Sequence, residues 1–246
     1  MFTPSHYASA KQKSIALIKQ THDWEGGEGF IADGAICPAI YAKQEVRVVC
    51  LLAESYGYNN CGVTDIETQP TDDILGVGHA NRPTAKIVPA LMWLVFEALQ
   101  RGHKLTASEF PTFKTVKKEY TELLQGAMKR IAWVNVKKAS KDSDAEGTQM
   151  NSGDIRAAAK RNSQVLRLQL DSLSPHLIIA FGVSVFEGML EEGFLGEGIV
   201  RQKRWVPQRN TAGQFVLEAT HPGYHSDWSY EGILNLHGIL FDALRS

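Results

Sequence analysis

Four short apolar runs constrain the fold of this 246-residue chain more than any other feature. They are VRVVCLLAES from Val46, RIAWVNVKK from Arg130, HLIIAFG from His176 and QFVLEAT from Gln214. Each run is rich in Val, Ile, Leu or aromatic residues, which is typical of a strand buried on both faces. Segments with helical spacing separate the runs, and such alternation favours a parallel sheet covered by helices. The sequence therefore predicts an α/β fold, a three-layer α/β/α sandwich with a central four-stranded parallel sheet.

The rest of the chain predicts a single domain over residues 1–246. No stretch resembles a linker or a repeat, and an apolar fraction of 43% is ordinary for a protein with a full core. The stretch SHYASAKQKSIALIKQTH predicts a helix before the first strand, as an N-terminal helical extension of about residues 1–30. We expect a monomer.

Composition indicates a cytoplasmic protein. The three cysteines, Cys37, Cys50 and Cys61, are an odd number at wide spacing, which argues against disulfides and against a thiolate metal site. No run is long enough to span a membrane, and the first residues lack the apolar core of a signal peptide. The net charge of −1 means that any surface for nucleic acid must be a local patch.

Polar side chains leave the four predicted strands at their carboxyl ends, where open parallel sheets bind ligands. The segments are AESYG, NVKK, FGVS and HPGYHS. They bring together the carboxylate of Glu54, the amide of Asn135, a lysine pair and the imidazole of His221. An amide both donates and accepts hydrogen bonds, which is what reading the edge of a planar base requires.

This set resembles the uracil-DNA glycosylase superfamily, whose domain is a four-stranded parallel sheet between helices. AESYG is similar in place to the loop after the family's first strand, and WVNVKK resembles its second strand, which ends in a base-pairing asparagine. LSPHLIIAFGVSVF resembles the buried strand that ends in glycine before a helix, and His221, Pro222 and Gly223 correspond to a His-Pro-Ser loop. The resemblance covers roughly residues 46–226 and implies an enzyme that acts on DNA.

The resemblance implies a role for each loop. A base must be flipped out of the duplex before it can be detached. Asn135 would then read the base, and His221 would donate to a carbonyl oxygen of the leaving base, where negative charge develops. Glu54 would help to position water. Further base contacts are expected from Ser55, Tyr56 and Gly57, and the aromatic ring that stacks on the base is one of Tyr56, Tyr58 and Trp133.

The first loop departs from the family pattern in ways that bear on the substrate. Ser55 stands where some branches carry the aspartate that activates water, so Glu54, or alternatively Asp65 or Asp72, would take that role. Gly57 stands where strict uracil enzymes carry a tyrosine that collides with the methyl group of thymine. The expected substrate is therefore uracil or a 5-modified pyrimidine, such as a hypermodified cytosine of viral DNA.

Basic residues near these loops predict phosphate contacts. The candidates are Lys137 and Lys138 after the amide, and Arg201, Lys203 and Arg204 before the fourth strand. A second basic group, on a helix, is the alternative, and either group is also compatible with an ordinary solvated surface. Around the histidine, Pro222 and Gly223 would let the backbone approach the phosphates, and Tyr224 or His225 would enter the groove left by the flipped base.

No metal and no cofactor is predicted. One branch of the family holds an iron–sulfur cluster on four cysteines, which three unclustered cysteines cannot supply.

Two of the candidate site residues also have a purely structural interpretation: Glu54 as a cap of the next turn, and Asn135 as an amide satisfied within the core.

The resemblance implies a monofunctional DNA glycosylase that hydrolytically excises a pyrimidine and leaves an abasic site, in repair or in antiviral defence. One alternative is a catalytically silent DNA-binding protein of the same fold that recognises modified or abasic DNA. Another is an unrelated α/β hydrolase of free nucleotides, which would need a metal.

Overall fold

The computed structural model describes residues 2–21, 29–53, 63–65, 83–110, 119–140, 152–222 and 228–246. Within these ranges the chain forms eight helices and nine strands. The helices are α1 Pro4–Thr21, α2 Pro38–Tyr41, α3 Pro83–Arg101, α4 Glu119–Met128, α5 Ser152–Arg161, α6 Ser163–Leu173, α7 Val183–Glu191 and α8 Tyr230–Arg245. The strands are β1 Gly29–Ala32, β2 Gly34–Ala35, β3 Val48–Leu52, β4 Val63–Asp65, β5 Ile131–Asn135, β6 Ala139–Ser140, β7 Leu177–Phe181, β8 Gln208–Arg209 and β9 Phe215–Ala219.

A six-stranded mixed sheet forms the centre of the fold, with the strand order β2-β5-β3-β7-β9-β8. The four apolar runs of the sequence are β3, β5, β7 and β9, which pair in parallel. β2 and β8 add an antiparallel pairing at each edge. The α/β class is thus confirmed, but the sheet has two more strands than predicted and is mixed. Two-residue edge strands such as Gly34–Ala35 contain no apolar run that periodicity can detect.

A second, three-stranded sheet has the order β4-β1-β6. β1 pairs in parallel with β4 and antiparallel with β6. α1 ends at Thr21 and β1 begins at Gly29, and residues 22–28 of the predicted helical extension, about 1–30, lie outside the described residues.

Helices cover both faces of the six-stranded sheet. All five residues of β3 are buried, and they alternate between two core clusters. Val48 and Cys50 belong to one cluster, together with residues of α3 and α8. Val49 and Leu51 belong to the other, with residues of α5, α6 and α7. Burial on both faces explains why β3 reads as a continuous apolar run rather than as an alternating one.

The N-terminal helix α1 is part of the core. Tyr7 is 2% exposed, and its hydroxyl oxygen accepts the backbone N–H of Ala35 in β2 at 2.9 Å. This contact depends on Gly34, which adopts a φ of +145° and lies so close to the Tyr7 hydroxyl that a Cβ atom would clash with it. Glycine is required on both counts, because L side chains rarely adopt such a backbone. No helix in the described parts of the chain is long and apolar enough to cross a membrane.

Candidate active site

The path of the chain selects the carboxyl ends of the central strands as a candidate ligand site. After β3 the chain passes to β5 on one side, whereas after β7 it passes to β9 on the other. The carboxyl ends of β3 and β7 therefore flank a topological switch point, where open α/β sheets have a crevice that binds ligands. Asn135 at the end of β5 lies on one side of this crevice, and His221 just after β9 lies on the other.

Asn135 presents a buried polar atom to this region. The residue is 2% exposed, and its register partner is Leu52, the last residue of β3. Its side-chain oxygen Oδ1 is buried and has no hydrogen-bond partner among the described residues. Native structures rarely leave such an atom unpaired, because burial without a hydrogen bond is costly. An unpaired buried acceptor at this edge fits a site that receives a donor from a ligand.

The backbone beyond Asn135 is held by continued pairing. The N–H of Val136 donates to the carbonyl of Leu52 at 2.8 Å, and the N–H of Lys137 donates to the carbonyl of Ala53 at 2.9 Å. The carbonyl of Val136 accepts from Asn162 Nδ2 at 3.0 Å. The segment that carries the amide and the first lysine is therefore fixed on both sides, and Lys137 remains partly exposed.

Lys138 is buried rather than exposed to DNA. Its Nζ lies 2.8 Å from Oδ1 of Asp33, and neither side chain has any solvent exposure. Burial lowers the pKa of Lys138 below its usual value, and the adjacent Asp33 carboxylate opposes that shift. A side chain enclosed in this way cannot reach a phosphate at the surface, so we withdraw Lys138 from the predicted DNA contacts and assign it to a buried polar cluster.

His221 follows β9 and is partly buried beside the start of α7. A Cβ atom on Gly182, the residue before α7, would lie 3.6 Å from the His221 Cβ. The indole N–H of Trp228 donates to the His221 carbonyl at 3.3 Å. Burial lowers the pKa of His221 below its usual value, which favours the neutral imidazole. A neutral imidazole donates through one nitrogen, which suits hydrogen bonding to a developing oxyanion.

An aromatic group that the sequence analysis did not select supports the histidine. Trp228 packs edge-on against Trp205 at 4.9 Å between ring centroids and tilts against Phe181 at 6.0 Å. Trp205 has a φ of +70°, which is an uncommon backbone for a bulky residue. The only sign of this group in the sequence was that one tryptophan stands before β9, the strand that leads to His221, and the other stands after it. Trp133, a predicted stacking candidate, packs instead against the core cluster of α3 and α8.

Two of the predicted basic contacts are engaged in ion pairs. Arg201 lies 2.5 Å from Glu187, and Arg204 lies 3.2 Å from Glu218. Both arginine side chains are solvent-exposed, at 61% and 44%. Lys203 is exposed between them. The basic segment 201–204 is linked to His221 through two tryptophans. Trp205, which follows Arg204, packs on Trp228, and Trp228 binds the His221 carbonyl.

The remaining predicted site residues divide into two groups. Pro222 is buried directly after the histidine. Seven others lie outside the described residues: Glu54, Ser55, Tyr56, Gly57, Gly223, Tyr224 and His225. Tyr58 and the alternative carboxylate Asp72 also lie outside them, and Asp65 is described only as the last residue of β4. Among the described residues no group of three His, Cys, Asp or Glu side chains is placed to hold a metal ion.

A cavity of about 370 Å³ opens at the opposite, amino-terminal edge of the sheet, with Arg47 and His176 in its wall. Its polar groups already bind one another. Arg47 donates from Nε to the Ser174 carbonyl at 2.9 Å and from its backbone N–H to His176 Nδ1 at 3.0 Å. We therefore place the candidate site at the carboxyl ends of the strands, where a buried acceptor has no partner among the described residues, rather than in this cavity.

No model of a known protein family matches this chain, and a search of characterised proteins gives no significant match.

Proposed function

We propose that this protein is a monofunctional DNA glycosylase with the architecture of the uracil-DNA glycosylase superfamily. The observation that carries the proposal is the buried Oδ1 of Asn135, which has no hydrogen-bond partner among the described residues, on one side of the switch-point crevice, with the partly buried His221 on the other. Three strand spacings separate the backbones of these residues, roughly 14 Å. That span leaves room for a planar base between the two side chains.

The proposed reaction begins with a flipped pyrimidine in the crevice. Asn135 Oδ1 accepts a hydrogen bond from a ring or exocyclic N–H of the base, and the amide nitrogen is available to donate. As the N-glycosidic bond breaks, the sugar becomes oxocarbenium-like and the base gains negative charge. His221 donates its N–H to a carbonyl oxygen of the base at that stage, and the Trp228 bond to the His221 carbonyl holds the histidine backbone. Water completes the hydrolysis at the sugar, with Glu54 as the proposed residue that positions it.

The proposed substrate is DNA containing uracil or a 5-modified pyrimidine. The absence of a side chain at Gly57 motivates the second class, because a substituent at the fifth ring position then meets no tyrosine. Lys137, Arg201, Lys203 and Arg204 are the proposed phosphate contacts, and their effect on binding is expected to weaken as salt rises.

The test is base release from a panel of DNAs that contain uracil, a thymine mismatch, hydroxymethylcytosine or glucosylated hydroxymethylcytosine. Mass spectrometry identifies the free base, and alkaline cleavage reveals the abasic site. We expect the wild-type protein to release one of these bases, and His221→Ala to lower the rate about 10²–10³-fold, as removal of one oxyanion donor does. Exposed His6 on α1 supplies the matched control, His6→Ala, which should release base at the wild-type rate.

Three results would overturn the proposal or the assigned role. Salt-sensitive DNA binding by folded protein without release of any base would favour the silent DNA-binding alternative. Full activity in His221→Ala would remove His221 from the reaction. Activity on free nucleotides that a chelator abolishes would favour the metal-dependent hydrolase instead.

A further inference from the structure

The buried pair of Lys138 and Asp33 stands directly beside the proposed base-reading residue. Both side chains have no exposure, and 2.8 Å separates Lys138 Nζ from Asp33 Oδ1. Charged groups are costly to bury, and a well-packed apolar pair of similar volume is often as stable. The pair therefore needs an explanation beyond stability.

Asp33 also binds the backbone of Asn135. It lies between β1 and β2, where the short pairing of β2 with β5 ends at Gly34 and Trp133. The N–H of Asn135 donates to Asp33 Oδ2 at 2.5 Å. The carboxylate thus takes the place of a backbone acceptor at the residue whose side chain is proposed to read the base.

A third donor fixes the orientation of this carboxylate. Gln169 on α6 donates from Nε2 to Asp33 Oδ1 at 2.7 Å, and Nε2 also lies 3.1 Å from the Asp33 carbonyl. With an ammonium and an amide on one oxygen and a backbone N–H on the other, rotation of the carboxylate would break several charge-assisted bonds at once. Asp33 is therefore a rigid acceptor that links α6, β5 and the loop after β5.

We propose that Asp33 is a positioning residue for base reading: it fixes the backbone of Asn135, and Lys138 and Gln169 hold Asp33 in place. The inference rests on the proposed function, since it assigns Asp33 a role in that same site. Asp33 itself does not touch the base. Displacement of the Asn135 backbone would misplace its side-chain oxygen relative to the base, and small misplacements of positioning groups cost large factors in rate.

Asp33→Asn tests this inference, because it keeps the size of the side chain and removes its charge. The first measurement is kcat/KM for base release at a temperature where the variant is fully folded. We expect kcat/KM to fall about tenfold or more, with unchanged salt-dependent affinity for undamaged DNA, since phosphate contacts do not sense Asn135. A matched control is Tyr41→Phe, which removes a buried hydrogen bond to the Leu173 carbonyl and should leave kcat/KM unchanged.

The second measurement does not depend on activity. A backbone amide that donates a short bond to a carboxylate resonates far downfield in a proton–nitrogen NMR spectrum, and we expect Asp33→Asn to move the Asn135 amide upfield while Tyr41→Phe leaves it in place. Should Asp33→Asn fail to fold because an unpaired ammonium stays buried, the double variant Asp33→Asn/Lys138→Met removes both charges and gives the same two readouts.

The outcomes separate the two proposals. If the wild-type protein releases no base from any DNA of the panel, the proposed function fails and the role of Asp33 in it fails with it. If the wild-type protein is active and folded Asp33→Asn keeps either full base release or the wild-type Asn135 amide shift, only the positioning role is overturned. If folded Asp33→Asn loses both full base release and the wild-type Asn135 amide shift, the positioning role is supported.

Discussion

Gly182 offers a direct test of the geometry around His221. It joins β7 to α7 with a φ of +111° and a ψ of 143°, which L side chains rarely adopt. Its N–H donates to the Ala219 carbonyl at 2.8 Å, two residues before His221. Among the described residues, an added Cβ would meet only the His221 Cβ, at an ordinary contact distance of 3.6 Å. Gly182→Ala therefore costs backbone strain rather than a clash, about 1–3 kcal/mol.

The variant is expected to relieve part of this strain by moving the junction that contacts His221. Urea unfolding should show the loss of about 1–3 kcal/mol in the free energy of unfolding, and kcat/KM for base release should fall on the order of tenfold to a hundredfold in fully folded protein. The matched control is Gly102→Ala, where φ is +76° and no atom of the described part of the chain lies within 4 Å of the added Cβ. It should lose stability and keep its activity.

Either of two results would refute this reasoning. Wild-type stability in Gly182→Ala would mean that the backbone accepts a side chain without strain. The expected loss of stability with full base release would mean that the position of His221 does not depend on this junction.

Three further predictions concern hydrogen bonds between a side chain and the backbone. Tyr7→Phe leaves the buried N–H of Ala35 without its acceptor, so urea unfolding should show a loss of about 1–3 kcal/mol, and an unchanged midpoint would contradict the role of α1. His237 accepts the Leu105 N–H at 3.1 Å through Nε2, and burial lowers its pKa. The contribution of neutral His237 to the free energy of unfolding is complete above the unfolded pKa of about 6.5 and is lost as the pH falls, by up to about 1.4 kcal/mol per pH unit. The difference in unfolding free energy between wild type and His237→Gln, measured from pH 8 to 5, should therefore shrink on acidification. A constant difference would contradict this. Trp228→Phe removes the indole donor but keeps a ring, so it should lower the free energy of unfolding by about 0.5–1.5 kcal/mol and lower the rate of base release. An unchanged rate would mean that the hydrogen bond to the His221 carbonyl has no role in the reaction.

The strands that build the central sheet were predictable because burial on both faces makes their sequences continuously apolar. The positions of two candidate residues relative to the strands were also predictable, since Asn135 is the last residue of β5 and His221 follows β9 by two residues. The two edge strands were missed because Gly34–Ala35 and Gln208–Arg209 are too short to show any period.

The partner of Lys138 could not be predicted from sequence. Asp33 stands 105 positions away, in a segment assigned to neither helix nor strand, and nothing local distinguishes it from a surface carboxylate. Two adjacent lysines after a strand read as exposed cations, since lysine is almost never fully buried unless it is paired. Only the tertiary fold shows that alternation along the chain sends Lys138 inward while Lys137 stays at the surface.

The N-terminal helix also has a consequence for synthesis. α1 ends at Thr21, but the helix it packs against, α6, ends at Leu173. At about 5–20 residues per second, a ribosome needs roughly 8–30 s to make the intervening chain. During that interval Ile18 of α1 lacks Val165 of α6, with which it shares a buried apolar cluster. α1 can therefore dock on α6 only after Leu173 has been made, and until then the nascent chain exposes apolar side chains that favour aggregation and chaperone binding.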